Sequence, residues 1–277
     1  MGADPEPAKE FGWQRVSTAD GVVTFRLGSW SLFFDFVEAE LFGGMISPNH
    51  SYVWRGQRRS DWSLSTTLDR LFGRLKLLTS SSAVLEKKSI EHLESFKYAS
   101  RGRRGRTPAI LLENEWWALG QHFGLATPLL DWTRSPFAAT YFAFEDDASE
   151  ETEFRVVFAL NQTAVAQRNT QLQDGPSFEE GRLPILEFID PMSDENPRLV
   201  SQDGCFTRAP IGTPVERWVE DTFKGSTTPA LLRIEIPNSD RVSCLRALSR
   251  MNINHLSLFP DLGGASRSTN LRLELER

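Results

Sequence analysis

The chain has 277 residues, a formal net charge of −6, and 40% hydrophobic and 25% charged residues. That length supports a substantial core in one domain or two small ones, and the acidic balance excludes blanket attraction to nucleic acid or anionic membrane. Two cysteines, Cys205 and Cys244, make neither a disulfide framework nor a metal-ligand spacing. No apolar run approaches the ~20 residues of a membrane helix, and the N-terminus lacks the basic start and apolar stretch of a signal peptide. A soluble, cytoplasmic protein is expected.

Residues 1–28 read as an N-terminal extension, its first dozen residues polar and frayed. Ser29 or Ser31 can cap a helix carrying Leu32, Phe33, Phe36, Val37, Leu41 and Phe42, ended by Gly43-Gly44. Ser51 to Gly56 reads as a strand stopping at a glycine, and Gln57 to Arg70 as a polar loop. From Ser82 to Ser100, Val84, Leu85, Ile90, Leu93 and Phe96 recur near the period of an amphipathic helix. The basic run Arg101-Gly102-Arg103-Arg104-Gly105-Arg106 follows, either a solvated loop or a grip on phosphates.

Thr107-Pro108 predicts the start of a helix running to Gln121-His122, and Ser135-Pro136 repeats that start signal. In the second half, Phe154 to Leu160, Leu183 to Phe188 and Leu231 to Ile236 read as strands. Polar loops are expected over 161–181, 191–204 and 207–229. Ser239 can cap a final helix, and the alternation Leu271 to Leu275 predicts a closing strand. Helices first and strands later, without βαβ alternation, predict an α+β fold. The expected architecture is a single domain over 29–277, its first-half helices packed on a mixed or antiparallel sheet.

The stretch Gln121 to Phe144 is the richest in chemistry. Gln121-His122, Asp131, Thr133, Arg134 and Ser135 interrupt segments that look buried. Polar groups there must pair with each other or with a ligand. Other chemistries lack their signatures. There is no Gly-rich phosphate loop and no Gly-x-Ser-x-Gly elbow. His50, His92, His122 and His255 show no zinc spacing, so no metal is expected. Glu113 and Glu115 read as a solvated helix face. A hydrolase acting through His122 and Asp131 is one enzymatic alternative.

Four segments, in order, resemble the FRG domain family, named for an aromatic-Arg-Gly tripeptide. They are Trp54-Arg55-Gly56-Gln57 with Trp62-Ser63-Leu64 and Leu68-Asp69-Arg70; Gln121-His122-Phe123-Gly124 through Leu129-Leu130-Asp131-Trp132-Thr133 to Tyr141-Phe142-Ala143; Arg198 to Thr207; and Ile253-Asn254 to Gly264. Together they span roughly residues 30–265. Trp54 replaces the family's Phe or Tyr, while Phe123 and Ala126 vary an aromatic and a proline.

The order of elements is also similar to ADP-ribosyltransferases. Those enzymes hold NAD with an Arg or His ending an early strand, then use a Ser/Thr-bearing strand before an Ala/Phe-rich helix, and a later Glu or Gln-x-Glu. Arg55, Thr133 before Ala138 to Ala143, and Gln202 follow that order. The resemblance implies NAD as substrate, with a protein or nucleic-acid acceptor, and by analogy of class a toxin or antiphage effector. It implies Arg55 on the pyrophosphate, backbone beside Gly56 on the carboxamide, and Gln57 and Thr133 on the nicotinamide ribose. Tyr141 would stack on the ring, with His122, Asp131 and Gln202 as catalytic groups. Oxocarbenium development calls for a carboxylate; Gln202 is not one, which leaves Asp131, Asp203 or Asp261.

Structural readings stand beside these. Arg55 can tie loops through carbonyls or Asp131; Asp131 can pair with Arg55 or Arg134; His122 and Tyr141 can be hydrogen-bonded core groups; Thr133, Ser135 and Gln202 can be turn or cap residues. The functional alternative is a non-catalytic module for a nucleotide or nucleic acid, using the same cleft and the Arg101–Arg106 run. A protein-interaction domain is a third, marked by a broad apolar surface.

Overall fold

The computed structural model describes residues 12–42, 52–105, 108–147, 152–174, 184–191, 197–226 and 228–276. The chain opens with a hairpin, β1 (Trp13–Ala19) and β2 (Val22–Leu27), turning at Asp20 and Gly21, whose φ values are 46° and 80°. Ser29 caps a helical stretch that runs through Trp30–Leu32, α1 (Phe33–Phe36) and a wider turn Val37–Phe42. The expected Gly43-Gly44 stop lies outside the described residues. Then come β3 (Tyr52–Gln57), α2 (Thr67–Arg74), α3 (Ser82–Ala99), α4 (Glu113–His122), β4 (Leu130–Thr133) and α5 (Pro136–Phe144). The second half supplies β5 (Phe154–Asn161), α6 (Gln162–Gln173), β6 (Glu187–Ile189), α7 (Pro197–Ser201), β7 (Gly204–Arg208), α8 (Val215–Thr222) and β8 (Leu231–Pro237). Three helices close the chain: α9 (Arg241–Arg250), α10 (His255–Leu258) and α11 (Leu262–Leu275).

Among the described residues, eight strands form one mixed sheet in the order β1-β2-β8-β5-β3-β4-β7-β6. Only the β2–β8 pairing is parallel. The α+β expectation holds, and residues 13–27 of the expected extension supply two of the strands.

Alternate residues of the central strands feed two cores. Trp54, Val157, Ala159 and Ile234 pack with α1, α5 and α9 on one face. Val53, Val156, Phe158 and Leu160 pack with α6 and α8 on the other. Burial on both faces explains why Val156 to Leu160 of β5 reads as a continuous apolar run. Helices therefore cover both sides, and they come from both halves of the sequence.

Several local expectations are corrected. The loop before Arg70 ends early, because Thr66 and Asp69 form a reciprocal capping box that starts α2 at Thr67. The helix expected from Pro108 begins at Glu113, where the Glu115 carboxylate accepts from the Leu112 N–H. The expected loops contain α6, capped by Asn161, as well as α7, α8 and the two ends of β7. The strand expected over Leu271 to Leu275 is the last turn of α11. Leu271 and Leu275 are four apart, so the pattern also fits one helix face, and Leu271 is buried there. Ser239 caps nothing; its neighbour Asp240 accepts instead from Ser29 Oγ and the Trp30 N–H.

The Ser135-Pro136 signal holds: Ser135 Oγ accepts from the Ala138 N–H at 3.1 Å. Ser135→Ala is expected to cost about 1 kcal/mol, measured by denaturant titration, because that N–H loses its only local acceptor.

Candidate functional site

The site forms where α5 crosses β3. A Cβ added at Gly56 would sit 1.9 Å from the Ala139 carbonyl oxygen and 2.6 Å from the Ala143 nitrogen. Only glycine lets the helix backbone rest on the strand at that point. The small residues Ala139 and Ala143 complete the close approach, both fully buried.

Arg55 precedes this crossing. Its Nη1 donates to the Asp131 carbonyl at 2.7 Å and lies 3.7 Å from the Asp131 carboxylate. Asp131 Oδ1 also accepts from Gln121 Nε2 at 2.7 Å. Burial lowers the Arg55 pKa, Asp131 opposes that shift, and Arg70 adds to it. Arg55 Nε is buried without a hydrogen-bond partner. Pairing with Arg55 rather than Arg134 is thus the geometry of Asp131; Arg134 instead engages Asp190 and Asp203.

Thr133 and Gln202 meet through the backbone. Thr133 Oγ1 donates to the Gln202 carbonyl at 2.6 Å and accepts from the Ser135 N–H. Gln202 Nε2 donates to the Leu258 carbonyl at 3.1 Å. Asp203 supplies the tight turn between α7 and β7 with φ 45°. Gln57 is 6% exposed; its Nε2 donates to the Ser63 carbonyl, while its Oε1 has no partner.

Two adjoining pockets share Arg55, Gly56 and Phe142 and make one cleft. The narrow half, about 280 Å³, is lined by Arg55, Gly56, Asp131, Thr133, Gln202, Phe259 and Glu145. The wide half, about 660 Å³, adds Gln57, Arg58, Asp61, Trp62, Arg70 and Asp146. Five expected site residues therefore line the narrow half, and Gln57 joins them through the wide half.

Two do not line the cleft. His122 ends α4 with its ring against Phe123, 4.8 Å between centroids, and its pKa is lowered by burial and by Arg198. Its neighbour Gln121 makes the contact to Asp131. Tyr141 is buried in the core, where its hydroxyl meets His255 Nδ1 at 3.0 Å.

Besides Asp131, whose carboxylate braces Arg55, the narrow half holds the carboxylate of Glu145, just past the end of α5. Its Oε2 lies 3.3 Å from His255 Nδ1. Burial, reinforced by Asp146, pushes its pKa up to about 7. Burial and Arg267 hold His255 below its ordinary value. Both shifts favour the neutral forms, so the contact is not a fixed ion pair. His255 also stacks on Phe259 at 4.2 Å. The three aspartates that sequence favoured are otherwise placed: Asp131 braces Arg55, Asp203 forms a turn facing Arg134, and Asp261 pairs with Arg198 at 2.5 Å while capping α11. Glu145 carried no sequence signal, since it begins the acidic run Glu145-Asp146-Asp147.

Other features lie elsewhere. Arg101 stacks on Tyr98 at the end of α3 and Arg104 on Trp116 of α4, and neither arginine lines the cleft. Arg106 lies outside the described residues. A depression of about 750 Å³ beside Leu27 and Pro237 carries Arg26, whose guanidinium is committed to Glu235. Both cysteines are free and buried, and burial pushes the Cys205 thiol up to about 12. Among the described residues, no cluster of His, Cys, Asp or Glu could hold a metal, and no helix is long and apolar enough to cross a membrane.

An arginine-glycine strand end, a Thr-bearing strand and an alanine-rich helix thus define one polar cleft in an α+β fold. Residues 50–152 match the family model of the FRG domain, and the chain carries that domain. No curated protein and no solved structure matches the chain. The later motifs fall outside the matched residues yet close on them: Trp132 Nε1 donates to Thr207 Oγ1 at 2.8 Å, and Thr133 holds Gln202.

Proposed function

We propose that the cleft binds NAD and cleaves its nicotinamide–ribose bond, passing ADP-ribose to an acceptor or to water. The observation carrying this reading is one cleft that joins the guanidinium groups of Arg55, Arg58 and Arg70 to the half-buried carboxylate of Glu145. Guanidinium suits a pyrophosphate because it is planar, permanently charged and bidentate. A carboxylate suits the ribose, which gains oxocarbenium character as the C–N bond breaks and its electron pair passes to the pyridinium nitrogen.

The nucleophile's oxygen or nitrogen then bonds to the ribose carbon, and the proton it sheds goes to Glu145. The positive nicotinamide ring next to Glu145 favours the ionised carboxylate. Arg55 holds the substrate, while Thr133 and Gln202 shape the narrow wall through their mutual hydrogen bond. A toxin or antiphage role is the biological setting such an activity suits, since NAD loss harms a cell.

Incubation with NAD followed by chromatography tests the reading. Nicotinamide release is expected, and Arg55→Ala is expected to reduce it about a hundredfold or more. Release from the wild-type chain no greater than from Arg55→Ala, with or without candidate acceptors, rejects it.

A further inference from the structure

We infer that the wide half of the cleft is a nucleoside-diphosphate subsite, built by Arg55, Arg58, Arg70, Gln57 and Trp62. Buried polar atoms in folded proteins nearly always have partners. Yet Arg55 Nε, Arg58 Nε and Gln57 Oε1 are all buried and unpartnered, and all three residues line this one pocket. Two N–H groups there need acceptors, and one amide oxygen needs a donor. A diphosphate supplies the acceptors; a ribose hydroxyl or an exocyclic amine supplies the donor.

The assignment of Gln57 follows from its other contact. Its Nε2 donates to the Ser63 carbonyl at 3.2 Å, which fixes Oε1 as the unpartnered end. Arg70 bonds only the Ser65 carbonyl, at 2.7 Å, and has no carboxylate partner among the described residues. The pocket's acids are already engaged: Asp61 by Arg59, and Asp146 by Arg58 and Arg267. Positive charge therefore predominates on the wall facing the ligand. Trp62 is partly exposed, with the Arg58 guanidinium 4.9 Å from its ring centroid. It offers an aromatic face or edge against which a base can pack. The volume, about 660 Å³, falls in the range of small-molecule sites.

This inference deepens the NAD reading by assigning the ADP part of the substrate to the wide half and the scissile bond to the narrow half. Titration calorimetry on the full chain, with ADP, inorganic pyrophosphate and adenosine as probes, tests it. ADP is expected to bind with one-to-one stoichiometry, and Arg70→Ala to weaken ADP and pyrophosphate by about tenfold without changing adenosine. Trp62→Ala is expected to weaken ADP and adenosine but not pyrophosphate. Both side chains are at the surface, and unchanged melting temperatures establish that the variants fold. Absence of saturable ADP binding, or ADP affinity unchanged in both variants, overturns the subsite. Nicotinamide release that ADP does not inhibit also overturns it while leaving cleavage intact; ADP binding without any nicotinamide release supports the subsite and rejects cleavage.

Discussion

Replacing Glu145 with Gln is expected to abolish nicotinamide release while making the protein more stable at alkaline pH. The two effects share one cause, the burial of a carboxylate beside His255 and Phe259. Burial pushes the folded-state pKa to about 7, against 4.5 for a free glutamate side chain. A raised folded pKa means that the folded chain binds this proton more tightly than the unfolded chain does. The associated stability is complete below about 4.5 and is lost as pH rises through about 7. Above that range the wild-type chain carries an ionised, half-buried carboxylate that costs up to about 3 kcal/mol. The amide of the Glu145→Gln variant carries no charge at any pH.

The expected readout is a melting temperature for Glu145→Gln that equals the wild type in mild acid and exceeds it at alkaline pH. A difference independent of pH contradicts the burial account. The loss of activity is expected to be about a hundredfold to a thousandfold, the scale set by removing one electrostatic group from a reacting centre. Greater stability with lost activity is the pattern of a site that holds a charged group the fold does not favour.

Gly56→Ala is expected to have the largest structural effect, a loss of about 3 kcal/mol or more or outright failure to fold. The added methyl would meet the backbone of Ala139 and Ala143, at 1.9 Å and 2.6 Å, and no flexible side chain stands there to move aside. Helix α5 would have to lift from β3, taking Phe142 and Glu145 out of the cleft. Gly124→Ala is the matching control. Gly124 has φ 88° but open space around it, so only the left-handed backbone cost of about 1–2 kcal/mol applies. Soluble yield and denaturant midpoints of the two variants measure the difference. A Gly56→Ala protein as stable as Gly124→Ala contradicts the close helix–strand crossing.

How far the sequence revealed the site follows from where its groups sit. Arg55, Asp131 and Thr133 were legible because each is a polar residue set in a short, largely apolar segment, whereas Gln202, flanked by Ser201 and Asp203, was legible only through the family resemblance of Arg198 to Thr207. Such residues need partners, and here they partner one another. Glu145 was not legible: it stands in an acidic run after a helix, where three carboxylates look like a solvated end. Its burial depends on His255 and Phe259, more than a hundred positions away, and no local pattern encodes that. His122 drew attention that belonged to Gln121, because adjacent helix residues point about 100° apart. Tyr141 was placed on the correct helix, but that helix turns the ring toward His255 and the core.

The fold shows the same division. The strands β3, β5 and β8 carry long β-branched and aromatic runs and were read within a residue or two. The short strands β4 and β7 are held by the β3–β4, β4–β7 and β6–β7 ladders between distant segments, so local propensity says little about them, while the strand expected over Leu183 to Phe188 is present only as the shorter β6, from Glu187 to Ile189. The alternation at Leu271 to Leu275 satisfied both a strand and one helix face, and packing of Leu271 against the α5–α9 core decided for the helix.

The most direct test of the account is nicotinamide release at subsaturating NAD, where the free chain's pKa governs the rate, measured between about pH 6 and about pH 8 for the wild-type chain, Arg55→Ala and Glu145→Gln. The account predicts release by the wild type that climbs as Glu145 ionises through about 7, with both variants near background at every pH. No release by the wild type, or release by Glu145→Gln equal to it, would contradict the account.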